Sequence, residues 1–327
     1  MKRHSRLLVV CVALLSTMKP VCADTIYFTN KGTGSIWSFT WTPSTSGTVT
    51  PTLVASGIQS PSGMAVGSDG NLYVTETGSN KAGAITRINP SDRVASRVVD
   101  LPGTNPAGIA FLPGGGNMIV SSLEPSDDAQ GTVLFSISGW SGTSASAAPY
   151  SSYALTGGAA VATTSAGTLF VSNNPGYNGD VLSFTSGTAA PATLIASGSA
   201  VNQTAAPTGL LVDGSTLYSL SITDARVMKT DLSLLTTGSL TTLAPYSYPS
   251  TLASLSDGRL LVGTANYSGQ FFVVNPLDGN STSFFVSGFP QVGGIVAVPE
   301  PAALSLTVIG LASVGWLVRR RHSSFSR

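Results

Sequence analysis

The chain has 327 residues, 42% of them hydrophobic and only 9% charged, with a formal net charge of +1; ordinary soluble domains carry roughly 25% charged residues. So few charges exclude a nucleic-acid-binding protein, which needs a basic face, and the charge-rich helical class, while the apolar content excludes disorder. With 36 Gly and 19 Pro, the composition favours many short strands joined by tight turns, in two ordinary domains or one large all-β domain.

Residues 1–23 carry Lys2, Arg3 and Arg6, then the apolar stretch Leu7 to Leu15, then Val21-Cys22-Ala23. A basic start, a short apolar run and a small-x-small site read as a secretory signal peptide cut after Ala23. The run is too short to span a bilayer, and Lys19 and Pro20 do not suit a lipid attachment at Cys22.

A six-repeat body ends near residue 297. The chain then runs Val298-Pro299-Glu300-Pro301, seventeen uncharged and mostly apolar residues from Ala302 to Val318, and Arg319-Arg320-Arg321. Seventeen helical residues reach about 25 Å, the lower limit for a transmembrane helix. The arginines would hold that end, with residues 322–327 as a short tail, in the cytoplasm, and everything before the helix outside. This order of parts resembles the PEP-CTERM sorting signal of Gram-negative bacteria, over residues 298–321. The resemblance implies recognition of Pro299, Glu300, Pro301, Arg319, Arg320 and Arg321 by an exosortase, a membrane protease-transferase, in a bacterium that makes exopolysaccharide.

Trimming both ends changes the chemical inventory. Cys11, Cys22, His4 and His322 all lie in the end segments, so residues 24–297 contain neither Cys nor His. That removes disulfides, thiolate nucleophiles, His-based triads and Cys/His metal sites from the expected domain. The same residues hold 8 Lys plus Arg against 14 Asp plus Glu, a balance of −6. Such a surface repels nucleic acid and anionic lipid.

Within residues 24–297 one phrase recurs: Pro-x-Gly, an apolar strand, a Gly-containing turn, a second apolar strand, then a Gly-led third strand. It opens at Pro61, at Pro106, near Gly158, at Pro207, at Pro249 and at Pro290, with neighbouring starts 45 residues apart from Pro61 to Pro106, 42 from Pro207 to Pro249 and 41 from Pro249 to Pro290. The last copy stops at Ala297, and its missing second and third strands stand at the other end, Thr25 to Asn30 and Gly34 to Phe39. The expected fold is therefore an all-β, six-bladed β-propeller, five or seven blades bracketing that count. It would be closed by pairing its N- and C-terminal strands, so that no edge is left open, and followed by the single C-terminal hydrophobic helix. Asp-Gly pairs at Asp69, Asp213 and Asp257 mark hairpin turns. A parallel β-helix has shorter repeats. The repeat resembles six-bladed propellers of the NHL and gluconolactonase-like superfamily, through degenerate strand-and-turn patterns that speak to fold more than to activity.

Aligning the second strands places Asn30, Glu76, Ser121, Asn173, Ser221 and Thr264 in register. If those strands lie near the axis, these side chains form a polar ring at one mouth of the central channel, with Glu124, Asn174, Asp224 and Asn266 close by. The gluconolactonase-like resemblance implies a divalent cation such as Ca²⁺ on Glu76, Asn173 and Asp224, with Glu76 or Asp224 as the catalytic carboxylate. Only Glu76 supplies a carboxylate to the aligned ring, and plain polar strand ends are the competing account. Trp37, Trp41 and Trp140 could stack on sugars or fill the core. Asp127-Asp128 form an acidic loop, and Gly114-Gly-Gly116 lacks the Lys-Ser/Thr of a phosphate loop.

Two functions follow. The leading one is an exported cell-surface or extracellular-matrix propeller that acts as a binding or structural module and meets an extracellular polysaccharide or surface protein. The alternative is a metal-dependent, gluconolactonase-like lactone or ester hydrolase.

Overall fold

The computed structural model describes residues 23–127, 131, 133–142, 144–151, 155–173, 179–185, 193–197, 207–236, 239–265, 268–288 and 291–300. The expected leader up to residue 22, Asp128, Asn174, Asn266, Pro301, the expected helix 302–318, Arg319 to Arg321 and the expected tail 322–327 lie outside the described residues.

The described strands form six antiparallel sheets arranged as the blades of a propeller. The inner strands are Val292–Pro299, Pro61–Val66, Pro106–Phe111, Gly158–Thr163, Pro207–Asp213 and Pro249–Ser254, in blades 1 to 6. Each contacts the inner strands of both neighbours, so these six surround the axis. Next outward come the second strands, Asp24–Asn30, Leu72–Glu76, Met118–Ser122, Leu169–Asn173, Thr216–Ser221 and Leu260–Thr264. The third strands are Ser35–Trp41, Ala82–Asn89, Leu134–Ser138, Asp180–Phe184, Arg226–Asp231 and Gln270–Val274, and the outer strands Thr52–Ser56, Val94–Pro102, Ser146–Pro149, Thr193–Ser197, Thr241–Pro245 and Ser281–Val286. The repeated phrase thus covers the inner three strands of each blade.

The second strands are unbroken apolar runs because both of their faces are buried: Leu72 to Glu76, Met118 to Ser122, Leu169 to Asn173 and Leu260 to Thr264 are buried at every position. Their alternating side chains feed six apolar clusters, one in each wedge between successive blades. Leu169 and Val171 enter the wedge toward blade 3, while Phe170 enters the one toward blade 5. Fully burying one such side chain contributes about 1.5–3 kcal/mol.

Blade 1 is made from both chain ends. Asp24 to Asn30 pair antiparallel with Val292 to Pro299, the partners running from Asp24 with Pro299 to Asn30 with Val292. The propeller therefore extends two residues past 297, and Pro299, first residue of the expected sorting motif, belongs to its sheet. Blade 6 clamps this seam. Phe28 and Phe39 of blade 1 pack on Phe271 and Phe284 of blade 6 at centroid separations of 5.6 to 5.7 Å. The buried Asp24 carboxylate accepts both the amide and the hydroxyl of Ser256, each at 3.0 Å. Between the third and outer strands of blade 1 the chain also lends a short strand, Gly47–Val49, which runs parallel to the outer strand of blade 6.

Around the axis the inner strands come too close for ordinary side chains. A Cβ on Gly63 would overlap the Ala107 carbonyl oxygen, and one on Gly108 would lie 2.8 Å from the Ala160 Cα. Each inner strand also shifts register there, which leaves backbone amides without a ladder partner. Hydroxyls of the second strands take them up. Thr29 accepts from Gly294 N–H at 2.7 Å, Thr75 from Gly63 at 2.7 Å, Ser121 from Gly108 at 3.0 Å and Ser172 from Ala160 at 2.7 Å. Thr29 and Thr75 then donate to Ser62 O and Ala107 O of the next blade. In blades 5 and 6 the hydroxyl sits on the inner strand itself, where Thr208 donates to Pro249 O and Ser250 to Val292 O.

Gly63→Val should therefore lower stability by about 1–3 kcal/mol or more through overpacking, whereas Gly142→Ala, whose nearest neighbour stands 3.6 Å away, should be near neutral. Thr75→Val, similar in shape but unable to bridge, should cost about 1–3 kcal/mol. Urea unfolding midpoints of the purified variants check all three.

Candidate functional site

The inner strands enclose an axial cavity of about 280 Å³. Its wall repeats the register of the sequence phrase. The residue after each strand-opening position gives Ser62, Ala107, Ala159, Thr208, Ser250 and Gly293, and two positions on stand Met64, Ile109, Val161, Leu210, Leu252 and Ile295. The second set forms an apolar belt, each member also packed into an inter-blade cluster. At one end the cavity is bordered by Lys31, Leu123 and Ala265, each one residue beyond the end of a second strand, and by Gln291.

Among the described residues that line the cavity, Lys31 is the one charged side chain. It rides on a tight turn fixed by Asn30, whose Oδ1 accepts the amides of Gly32 and Thr33 at 3.1 and 3.3 Å. The other described lysines are engaged: Lys81 meets Asp127 at 2.8 Å and Glu124 at 3.6 Å, and Lys229 donates to Pro276 O at 2.6 Å. Lys31 makes no ion pair among the described residues, and burial pushes its pKa below the ordinary lysine value.

The expected ring is displaced from the axis in two ways. The second strands are one layer out, and Asn30, Glu76, Asn173, Ser221 and Thr264 are not among the cavity-lining residues. In blade 3 the residue in register is Ser122, paired with Pro106 as Glu76 is with Pro61; Ser121 is instead one of the hydroxyls that catch a bulged amide. A blade-to-blade slip of one residue exchanges the two faces of a strand, which is why the alignment misplaced it.

Three of these strand-end side chains hold the chain leading into their own blade. Glu76 Oε2 accepts the Gln59 amide at 2.9 Å, Ser122 accepts the Asn105 amide at 3.1 Å, and Asn173 Oδ1 accepts the Thr156 and Gly157 amides at 2.9 and 3.3 Å. Ser221 and Asp224 bond to each other, and Thr264 donates to Gln270 O at 2.9 Å. Glu76 also accepts the Thr86 hydroxyl and lies 3.8 Å from Arg97, in a 210 Å³ groove on the flank of blades 1 and 2. Asp224 faces Arg226 at 3.7 Å. Glu76, Asn173 and Asp224 thus serve blades 2, 4 and 5 separately, and among the described residues no three His, Cys, Asp or Glu side chains are grouped to hold a metal. Glu124 and Asp127 flank Lys81. Trp41 and Trp140 are buried, and Trp37 lies at the edge of the cluster between blades 6 and 1.

Comparison with solved structures supports a six-bladed β-propeller. A chain from the "Crystal structure of Nidogen/Laminin Complex" superposes with a TM-score of 0.68 at 14% identity, covering 84% of this chain and 98% of that one. TolB from Acinetobacter baumannii superposes with a TM-score of 0.63 at 12% identity, covering 91% of this chain and 72% of that one. At these identities the likeness is one of fold. No family model matches the sequence, and no curated protein matches it.

The depressed Lys31 pKa has a signed consequence. Between that lowered value and the ordinary one near 10.4 the unfolded chain binds more protons than the native one, so Lys31 costs stability below this window, and the cost is relieved as pH rises through it. Lys31→Met should raise Tm at about pH 7 and lose that advantage by about pH 10.5, as thermal melts at both pH values would record. Glu76→Ala strands the Gln59 amide and Thr86 hydroxyl and should cost about 1–3 kcal/mol in urea unfolding.

Proposed function

We propose that this protein is an exported propeller that an exosortase sorts through its Pro299-Glu300-Pro301 tail, and that it works at the cell surface or in the extracellular matrix of an exopolysaccharide-producing bacterium as a binding or structural module. A β-propeller fold by itself suggests such a module, and one of its structural neighbours comes from a complex of two proteins, nidogen and laminin. An extracellular polysaccharide or a surface protein is the partner in this reading, with the inner membrane as a temporary anchor.

The observation that carries the sorting half is where the motif begins. The closing strand ends at Pro299, the Glu300 amide donates to Ala23 O at 2.9 Å, and the Thr25 hydroxyl donates to the Glu300 carboxylate at 3.1 Å. Ala23 and Glu300 thus meet side by side, at the opposite end of the strands from Lys31. Three residues from Pro299 to Ala302 span at most about 10 Å. A propeller on such a tether stands close to the bilayer with the Lys31 end of its cavity facing away.

Replacing Pro299, Glu300 and Pro301 together by alanine should leave tail-bearing protein in the inner membrane. Cell fractionation with an antibody to the tail reads this directly, and unchanged processing and release would refute the sorting reading.

A further inference from the structure

The axial cavity has a chemical bias that the fold does not require. Among the described residues its wall is neutral, its middle is an aliphatic belt, and its single charge is the Lys31 ammonium at the rim. Residues 24–297 carry a balance of −6, and the cations Lys81, Arg97 and Arg226, none of which lines the cavity, stand beside carboxylates. Lys31 has none among the described residues, although the turn that carries it is held by two amide bonds to Asn30. A partly desolvated charge without a counter-ion is a standing cost, and an anion entering the cavity would offset it.

We propose that the Lys31 end of the axial cavity is a binding site for a hydroxylated carboxylate of single-sugar size, a sugar acid or the terminal uronate of an acidic polysaccharide. The anion pairs with Lys31. The hydroxylated body meets Ser62 and Gln291 at the rim and the exposed edges of the inner strands below it, while one apolar ring face rests on Met64, Ile295 and their neighbours. The volume, near the roughly 300 Å³ floor for small-molecule pockets, admits one such residue and excludes a chain threading through. Lysine acts here as a point charge, which suits a carboxylate presented from varied angles. The acidic remainder of the surface repels anions elsewhere and confines their binding to this rim. The site rests on the binding-module reading and names the chemistry of its ligand.

The test titrates the full-length chain, purified in detergent, with glucuronate, with glucose and with polygalacturonate, using calorimetry. Glucuronate should bind and glucose should not. Lys31→Gln should weaken glucuronate by about tenfold or more, equivalent to about 1.4 kcal/mol, without lowering Tm, and Lys31→Arg should restore most of the binding. Polygalacturonate that binds with the same dependence on Lys31 identifies a polymer end as the source of the carboxylate; binding of glucuronate alone identifies a free sugar acid. Glucuronate that binds no better than glucose, or equally well to Lys31→Gln, overturns the site. If polygalacturonate binds wild type and Lys31→Gln alike, the module reading survives and this assignment falls.

Discussion

Six strands cannot surround a common axis unless their backbones approach more closely than side chains allow. Everything else in this molecule follows from how that crowding is met. Gly63, Gly108 and Gly294 remove the Cβ atoms that would collide with the neighbouring backbone. The local bulges that relieve the crowding strand backbone amides, and Thr29, Thr75, Ser121 and Ser172 recover them. Because four of these or equivalent hydroxyls also reach a carbonyl of the next blade, blade-internal repair and blade-to-blade bonding are one network. Apolar packing in the wedges supplies the bulk of the stabilisation; the hydroxyl belt fixes the register in which the blades meet.

The same constraint explains what could be read from the sequence. The Pro-x-Gly phrase was visible because the axis demands small residues at one register, and the second strands stood out because burial on both faces makes them continuous apolar runs. Ring closure followed from counting strands at the two ends. The outer strands were not legible: Val94 to Pro102 and Ser281 to Val286 are largely exposed and mix polar with apolar residues without a steady period. Nor could the strand Gly47–Val49 be anticipated, since three exposed or half-exposed residues carry no burial pattern. Its partner is more than 230 positions away in sequence.

The candidate site was legible only to within one strand and one residue. Polar side chains recurring at the ends of the second strands were a real signal, but the physical cause was the tying down of loops, as the Glu76, Ser122 and Asn173 contacts demonstrate. The residue that does face the axis comes next in the chain. At that position Lys31, Leu123 and Ala265 share no chemical type, so no repeat could reveal them; a charge that occurs once per ring is invisible to any search for what recurs.

The meeting of Ala23 and Glu300 at one end of the strands has a mechanical consequence. A pull on the segment beyond Glu300, opposed by a grip on the far face, acts along the closing strand. It loads the Asp24–Asn30 and Val292–Pro299 pair in shear, so that its ladder bonds resist together instead of unzipping singly. The phenylalanine cluster of blade 6 and the borrowed strand Gly47–Val49 brace the layers beside that pair. The seam where the chain is discontinuous is thus also the line along which the folded domain would bear tension.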